Sequence, residues 1–193
     1  MTSSAGSLAR LLMETVRQPR EVARFIIGQG YSREVLWMGL VLVTLISVLL
    51  VAVFSVLLPP PPPEAPERIV LTPLTYATIL GGSLVITVFA LHYTGLMLGG
   101  EGRLEDTLAL MVWLQFLLVV LQAAQVVLAI ALPALGAYAA IVSVGIALWV
   151  LVHFINEAQR FESLGRAVLT LVAALLGVGV GLSTLLAVIG AGV

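Results

Sequence analysis

Five long apolar stretches without charged side chains dominate the pattern of this chain. A helix rises 1.5 Å per residue, so roughly 20 apolar residues cross the ~30 Å hydrocarbon core of a bilayer. The pattern predicts an all-α, polytopic membrane protein with five transmembrane helices. The predicted spans cover about residues 35–58, 73–98, 107–132, 134–155 and 167–190.

The third and fourth predicted spans are separated only by Pro133. One very long helix is therefore an alternative to two shorter ones. The sequence LPALG around this proline supplies a helix breaker and a glycine where a tight hairpin needs them. We therefore favour two antiparallel spans here, and five in total.

The segment SLARLLMETVRQPREVARFIIGQG, residues 7–30, predicts amphipathic helix before the first span. On a helical wheel its leucines, valines and isoleucines share one side, and its arginines and glutamates the other. Because Pro19 lies in the middle, we expect a helix pair with this proline at the first position of the second helix. Residues 1–33 would form this segment and residues 34–193 the membrane domain. It is either an in-plane anchor on anionic lipid or a docking site for a cytoplasmic partner.

Composition agrees with a lipid environment, because 61% of residues are hydrophobic, 10% are charged and the mean hydropathy is +1.16. The chain has no cysteine, which excludes disulfides, thiolate metal sites and thiol nucleophiles. All nine basic residues are arginines. Eight of them fall on one predicted face and only Arg68 on the other, which places the N-terminus in the cytoplasm and the C-terminus outside. We expect no cleaved signal peptide, since the first apolar run is too long for one.

A run of prolines at residues 59–63 follows the first span. Consecutive prolines form polyproline II, so this run predicts a stiff spacer of roughly 15 Å, with a proline-recognition ligand as the alternative. Thr72 and Pro73 then form the cap and first residue of the next helix.

Polar side chains within the spans are few, and no Asp, Glu or Arg lies in the middle of one. His92 and His153 lie near the cytoplasmic ends of their spans, either as interfacial hydrogen-bonding residues or as a paired functional site. The glutamines form a stripe that favours helix contacts over a pore lining. Small residues at four-residue spacing indicate close helix packing. The candidate packing residues are Gln115, Gln122, Gln125, Gly95, Gly99, Ala173, Gly177 and Gly181.

Two cytoplasmic loops carry the remaining candidate chemistry. LGGEGRLEDTLAL, residues 98–110, and QRFESLGRAV, residues 159–168, share the order arginine, apolar residue, glutamate, small polar residue. Asp106 and Ser163 are suitable N-cap acceptors, and the match indicates either related hairpins or convergence on the same capping chemistry. The candidate interaction residues are Arg103, Glu105, Asp106, Glu157, Arg160, Phe161 and Glu162.

The loop sequences GGEGRLEDTLALMVW and FINEAQRFESLGRAVL resemble the bacterial branch of the Yip family, the Ypt/Rab-interacting proteins. The VRQPREVARFI element and the five spans are similar too. The resemblance implies a five-helix integral membrane protein without established enzymatic activity. Relatives often have His-Gly where this chain has Gln159-Arg160, which argues against a metal or proton role there. The matching loop residues are Gly100, Gly102, Glu105, Asp106, Glu157, Phe161, Gly165 and Ala167.

The leading hypothesis is a non-enzymatic scaffold or accessory subunit of the bacterial inner membrane, associating with itself or with other membrane proteins. No catalytic or phosphate-binding motif is present, and we expect no cofactor, nucleic acid or Rab-type GTPase partner. The alternative is a small transporter, channel or lipid-moving protein. An enzyme comes third and needs His92, His153, Glu105 and Glu157 to converge.

Overall fold

The computed structural model describes residues 2–57 and 72–190, and these ranges contain seven helices and no strand. The all-α prediction is therefore confirmed, as is the helix pair before the five long helices. In chain order the helices are α1 (Thr2–Arg17), α2 (Pro19–Gly28), α3 (Arg33–Leu57), α4 (Pro73–Met97), α5 (Leu104–Ala131), α6 (Pro133–Ala158) and α7 (Leu164–Gly190).

Helices α3 to α7 are long and apolar enough to cross a membrane. Most begin or end a few residues outside the predicted spans, because the helix continues through polar residues that a search for uncharged runs leaves out. Their lengths of 25 to 28 residues correspond to about 38–42 Å, which exceeds the ~30 Å hydrocarbon core. The helix ends therefore have room to project beyond the lipid.

Prolines mark three of the helix starts. Pro19, Pro73 and Pro133 each lie in the first turn of a helix, where the missing N–H has no intrahelical partner to lose. Thr72 caps α4 as expected, and its hydroxyl accepts a hydrogen bond from the Thr75 amide at 3.2 Å. The alternative of one continuous helix through Pro133 is wrong, because Leu132 leaves the helical conformation there.

Helix α5 is the centre of the bundle. It packs against α3, α4 and α6, while α7 packs on α4 and α6 at the periphery. The core is most completely buried where α4, α5 and α6 meet, around Leu91, Leu108, Leu110, Val150 and Phe154. Residues facing away from these contacts are mostly large and apolar, as expected for helices whose outer faces meet lipid.

The apolar face of α2 packs against α5 and α6 of the same chain. Val22, Ala23 and Ile26 are buried there, with Ala23 fully inaccessible. For α2 the prediction of an apolar face lying in the lipid plane is therefore wrong. The wheel correctly identified the buried side, but amphipathicity is the same whether the apolar neighbour is lipid or protein.

Two tryptophans hold the end of α1. The indole N–H of Trp113 donates to the Thr15 hydroxyl at 3.0 Å, and that of Trp149 donates to the Val16 carbonyl at 3.2 Å. Each tryptophan lies nine residues, about 14 Å, from the nearby end of its helix. Tryptophans favour the membrane–water interface. This placement is consistent with α1 near the interface and α2 packed around the projecting ends of α5 and α6.

The predicted polyproline spacer at residues 59–63 and Arg68 lie outside the described residues.

Candidate interaction site at the loop end of the bundle

One end of the bundle, which we call the loop face, brings together the helix pair, the 98–103 loop and the 159–163 loop. Helix α4 ends there in a Schellman motif. The Gly100 amide donates to the Gly95 carbonyl at 2.9 Å, and the Gly99 amide to the Leu96 carbonyl at 3.1 Å. Gly99 has φ +84°, a left-handed conformation that glycine adopts without strain.

Helix α6 ends in the same motif without a glycine. The Phe161 amide donates to the Asn156 carbonyl at 2.9 Å, and the Arg160 amide to the Glu157 carbonyl at 3.2 Å. Arg160 occupies the position that corresponds to Gly99 and has φ +56°. A glycine at this position would therefore suit the backbone better than the arginine of this chain.

The predicted match between the two loops does not correspond to equivalent positions. Arg103 is the residue directly before α5, whereas Arg160 belongs to the end of α6 and lies four residues before α7. The N-cap prediction is confirmed for Ser163, whose hydroxyl accepts from the Gly165 amide at 3.2 Å. It is wrong for Asp106, because α5 begins two residues earlier and places this side chain within the first turn.

Gln159 joins the two loops. Its side chain is 1% exposed and lies in a cradle formed by three glycines, Gly95, Gly100 and Gly102, where a Cβ atom would overlap Gln159 or the Ala158 carbonyl. Its backbone carbonyl accepts from the Glu101 amide at 3.0 Å, and its side-chain amide donates to Thr107 at 3.4 Å. The glycines of the first loop therefore permit a close approach of the second loop.

Two glutamates tie the helix pair and α3 to the bundle. Glu157 accepts from Arg24 at 2.8 and 3.3 Å, and Arg20 lies 3.9 Å away. Glu105 accepts from Arg33 at 2.6 Å. The hydrogen bond to Glu157 and the charge of that carboxylate raise the pKa of Arg24 above its ordinary value. Because the side chains of Arg24 and Arg33 are more than half exposed, these two pairs position the segments more than they stabilise them.

The candidate interaction residues differ in accessibility. Arg103, Arg160 and Glu162 are exposed, Glu105 and Glu157 are partly buried within the pairs above, and Asp106 and Phe161 are buried. The Asp106 carboxylate lies 3.7 Å from the Arg160 guanidinium. The exposed residues are the most accessible to a partner, and their interaction role stays a prediction.

The candidate packing residues also differ in their surroundings. Gly95 contacts Gln159, and Gln115 donates to Ser47 of α3 at 3.5 Å. No atom lies within 4 Å of a Cβ built at Gly177 or Gly181, so within the described chain the α7 glycines have no close neighbour. Ala173 is half-buried on the same helix. Gln122 and Gln125 are half-buried and have no hydrogen-bond partner among the described residues.

The two histidines have different neighbours. His153 Nδ1 is 2.8 Å from the Trp149 carbonyl one turn earlier on α6, and its ring lies 4.2 Å from the Trp149 ring. His92 is buried next to Tyr93, and its Nδ1 has no hydrogen-bond partner among the described residues. Across residues 2–57 and 72–190, no group of three or more His, Asp or Glu side chains is arranged to hold a metal ion.

The residues that sequence reasoning missed are buried polar groups at this face. Asn156, Thr107 and Gln159 are nearly inaccessible, and the side-chain oxygens of Asn156 and Gln159 have no hydrogen-bond partner within residues 2–57 and 72–190. The sequence did contain an indication of these residues, because polar side chains at the end of an apolar helix next to a glycine-rich loop favour a buried polar contact. The pairing of loop glycines with Gln159 required the tertiary structure.

We expect Arg160→Gly to be more stable than Arg160→Ala by about 1 kcal/mol, because alanine keeps the strain of a left-handed residue and glycine relieves it. Both variants remove the guanidinium near Asp106, so their difference isolates the backbone effect. Thermal unfolding in detergent measures it as a midpoint difference of about 2–4 °C. Equal midpoints would contradict the assigned backbone conformation.

The chain matches a family model along most of its length. The Yip1 domain model covers residues 13–185, from the end of α1 through most of α7. No curated protein and no solved structure matches the chain. The matched range includes α2, both interlocking loops, helices α3 to α6 and most of α7. The chain therefore belongs to the Yip1 domain family of membrane proteins.

Proposed function

We propose that this protein is a non-enzymatic membrane scaffold or accessory subunit that associates with a second copy or with other membrane proteins. The observation that carries the proposal is the pair of unpartnered glutamines on α5. Gln122 and Gln125 lie nine and twelve residues beyond Trp113, about 14–18 Å further along the helix. With Trp113 near the interface, this distance places both amides near the middle of the hydrocarbon core.

An amide in hydrocarbon has no water to bond with, so it favours a polar partner on another helix. Gln115 satisfies this requirement within the chain, through Ser47. Gln122 and Gln125 have no such partner among the described residues. A glutamine amide both donates and accepts, so the same two residues of a second copy would be complementary across a twofold axis.

The loop face supports a platform role. Its segments are tied to one another by Gln159, Glu105 and Glu157, so exposed Arg103, Arg160 and Glu162 are held on a fixed surface. We propose that this face contacts the partners and that neither nucleic acid nor a Rab-type GTPase is among them.

We also propose a multi-pass orientation in a bacterial inner membrane, with the N-terminus cytoplasmic and the C-terminus periplasmic. The support is the concentration of eight of the nine arginines on the loop face and its adjoining segments. We expect alkaline phosphatase fused after residue 193 to be active and green fluorescent protein fused there to be dark. The reverse pattern would exclude this orientation.

We expect the double variant Gln122→Leu, Gln125→Leu to lose self-association, or association with its membrane partner, by about threefold to thirtyfold. Each interhelical hydrogen bond contributes ~0.6–2 kcal/mol, and leucine preserves the apolar packing. Crosslinking in native membranes and native mass spectrometry from mild detergent measure the assembled fraction.

The matched control is Gln115→Leu, which removes an amide used inside the chain. This control should lower thermal stability and leave the assembled fraction unchanged. If the native protein is an isolated monomer without a crosslinked companion, the scaffold proposal fails. The same failure follows if Gln115→Leu disrupts assembly as strongly as the double variant.

A further inference from the structure

A small, largely enclosed cavity of about 70 Å³ lies at the loop face between α2, α3 and the start of α5. Its walls include apolar side chains of all three helices, among them Ile26, Leu36 and Ala109. Arg103, Glu105 and Asp106 also line it. A water molecule takes about 30 Å³ of liquid, so this volume suits one small polar group.

Asp106 lines this cavity and is 8% exposed. Its carboxylate accepts no hydrogen bond from the described residues. The nearest cation, the Arg160 guanidinium, lies at 3.7 Å, beyond hydrogen-bond distance. A buried carboxylate oxygen without a donor is costly, so the site favours a ligand that brings N–H groups. Glu105 is less available, since Arg33 already donates to it at 2.6 Å.

The rim of the cavity has the opposite charge. The Arg103 side chain is 68% exposed and lies 3.6 Å from Glu105, so much of its guanidinium is free for an anion. An exposed arginine near a bilayer surface is well suited to a phosphate. A single ligand that contacts both residues must therefore carry a compact cation with N–H donors for Asp106. It must also carry an anion a few ångströms away for Arg103.

We infer that this cavity binds the headgroup of a phospholipid that carries a primary ammonium, such as phosphatidylethanolamine. The ammonium donates to Asp106 inside the cavity, and the phosphate pairs with Arg103 at the rim. A trimethylammonium group has no N–H to donate to Asp106. The site therefore discriminates phosphatidylethanolamine from phosphatidylcholine by hydrogen bonding.

A separate apolar groove also lies along α3. It has a volume of about 320 Å³, lies between α3 and α4, and includes Trp37 and Leu40 in its lining. Leu40 lies one turn after Leu36, which lines the headgroup cavity, so both belong to one face of α3. An acyl chain in this groove would begin within about one helical turn of the cavity, and this proximity favours a lipid over a free phosphoamine.

Native mass spectrometry of the full chain, titrated with lipids of identical acyl chains, tests the assignment. We expect about tenfold tighter binding of phosphatidylethanolamine than of phosphatidylcholine, the ratio for one charge-assisted hydrogen bond. Monomethyl and dimethyl derivatives should bind with intermediate, decreasing affinity. Equal binding across this series overturns the inference, and so does tighter binding of phosphatidylglycerol.

Variants locate the site. Arg103→Gln should weaken phosphatidylethanolamine binding several-fold, and Arg166→Gln, an exposed arginine outside the cavity, should not. Asp106→Asn should remove the preference over phosphatidylcholine. If that variant does not fold, the methylation series on the native protein still decides. Equal effects of Arg103→Gln and Arg166→Gln indicate general attraction to anionic surfaces and overturn the site. Displacement by soluble phosphoethanolamine at the lipid's own affinity overturns the lipid assignment.

Discussion

Replacing Gly102 with alanine is expected to lower the free energy of unfolding by about 2–3 kcal/mol, the upper part of the range for overpacking a closed contact. The added Cβ would overlap the backbone carbonyl oxygen of Ala158 and approach the Gln159 amide oxygen to 2.9 Å. A backbone carbonyl has less freedom to move aside than a side chain. The interlock of the two loops, including the hydrogen bond from the Glu101 amide to the Gln159 carbonyl, must therefore open.

Thermal unfolding in detergent should show this loss as a midpoint lower by about 5–10 °C. Gly82→Ala is the matched control, since no atom lies within 4 Å of a Cβ at that position inside α4. This control should be neutral or slightly stabilising, because alanine is the better helix former. Similar midpoints for the two variants would show that the loops do not interlock through Gly102.

The second large effect is expected for Ala23→Glu, which places a charge at a fully inaccessible position of α2 against α5 and α6. A buried, unpaired carboxylate is strongly unfavourable, so α2 should separate from the bundle. Trypsin cleaves after arginine, and Arg20 and Arg24 lie on this helix. We expect their cleavage to become at least about tenfold faster, because local opening governs proteolysis of a docked helix.

Phe25→Glu provides the matched control, because it adds the same charge two residues away on a side chain that is 55% exposed. Its tryptic cleavage should remain close to that of the native chain, with the sites identified by mass spectrometry. If both variants are cleaved equally fast and faster than the native chain, α2 does not dock on the bundle. If neither variant is cleaved faster than the native chain, the helix pair is held by contacts other than its apolar face.

Docking of α2 also bears on how a partner reaches the loop face. The pairs between Arg24 and Glu157 and between Arg33 and Glu105 occupy the two glutamates that the sequence offered as contact residues. A partner that competed for these carboxylates would have to release the helix pair or the start of α3. Exposed Arg103, Arg160 and Glu162 require no such rearrangement. We therefore expect partner contacts to depend first on these three side chains.

Much of the architecture followed from local sequence. The number of long helices was predicted from the five apolar runs. The starts of α2, α4 and α6 were predicted from the prolines at residues 19, 73 and 133. The apolar side of α2 was also evident from its periodicity. These features are local because an uncharged run or a missing backbone N–H acts within a few residues of its own position.

The arrangement of the candidate site was decided by contacts between distant residues. Gln159 donates to Thr107 across 52 positions, and Arg24 to Glu157 across 133. The four-residue match of the loops suggested equivalence, but the structure places one arginine at a helix start and the other at a helix end. Arginine is not among the residue types preferred as an N-cap or in the left-handed position after a helix, so the match itself did not show which helix end each arginine occupies.

Five apolar helices preceded by an amphipathic pair could be predicted from the residues alone, because helix formation and lipid burial depend on local pattern. The packing of distant segments was needed to show that α2 faces the bundle instead of lipid, and that three glycines at the end of α4 and in the following loop enclose Gln159. It also left Asp106 unsatisfied beside a small cavity. The sequence of one helix defines a polar or apolar face but does not specify which element covers it. Packing between helices distant in sequence selects that element.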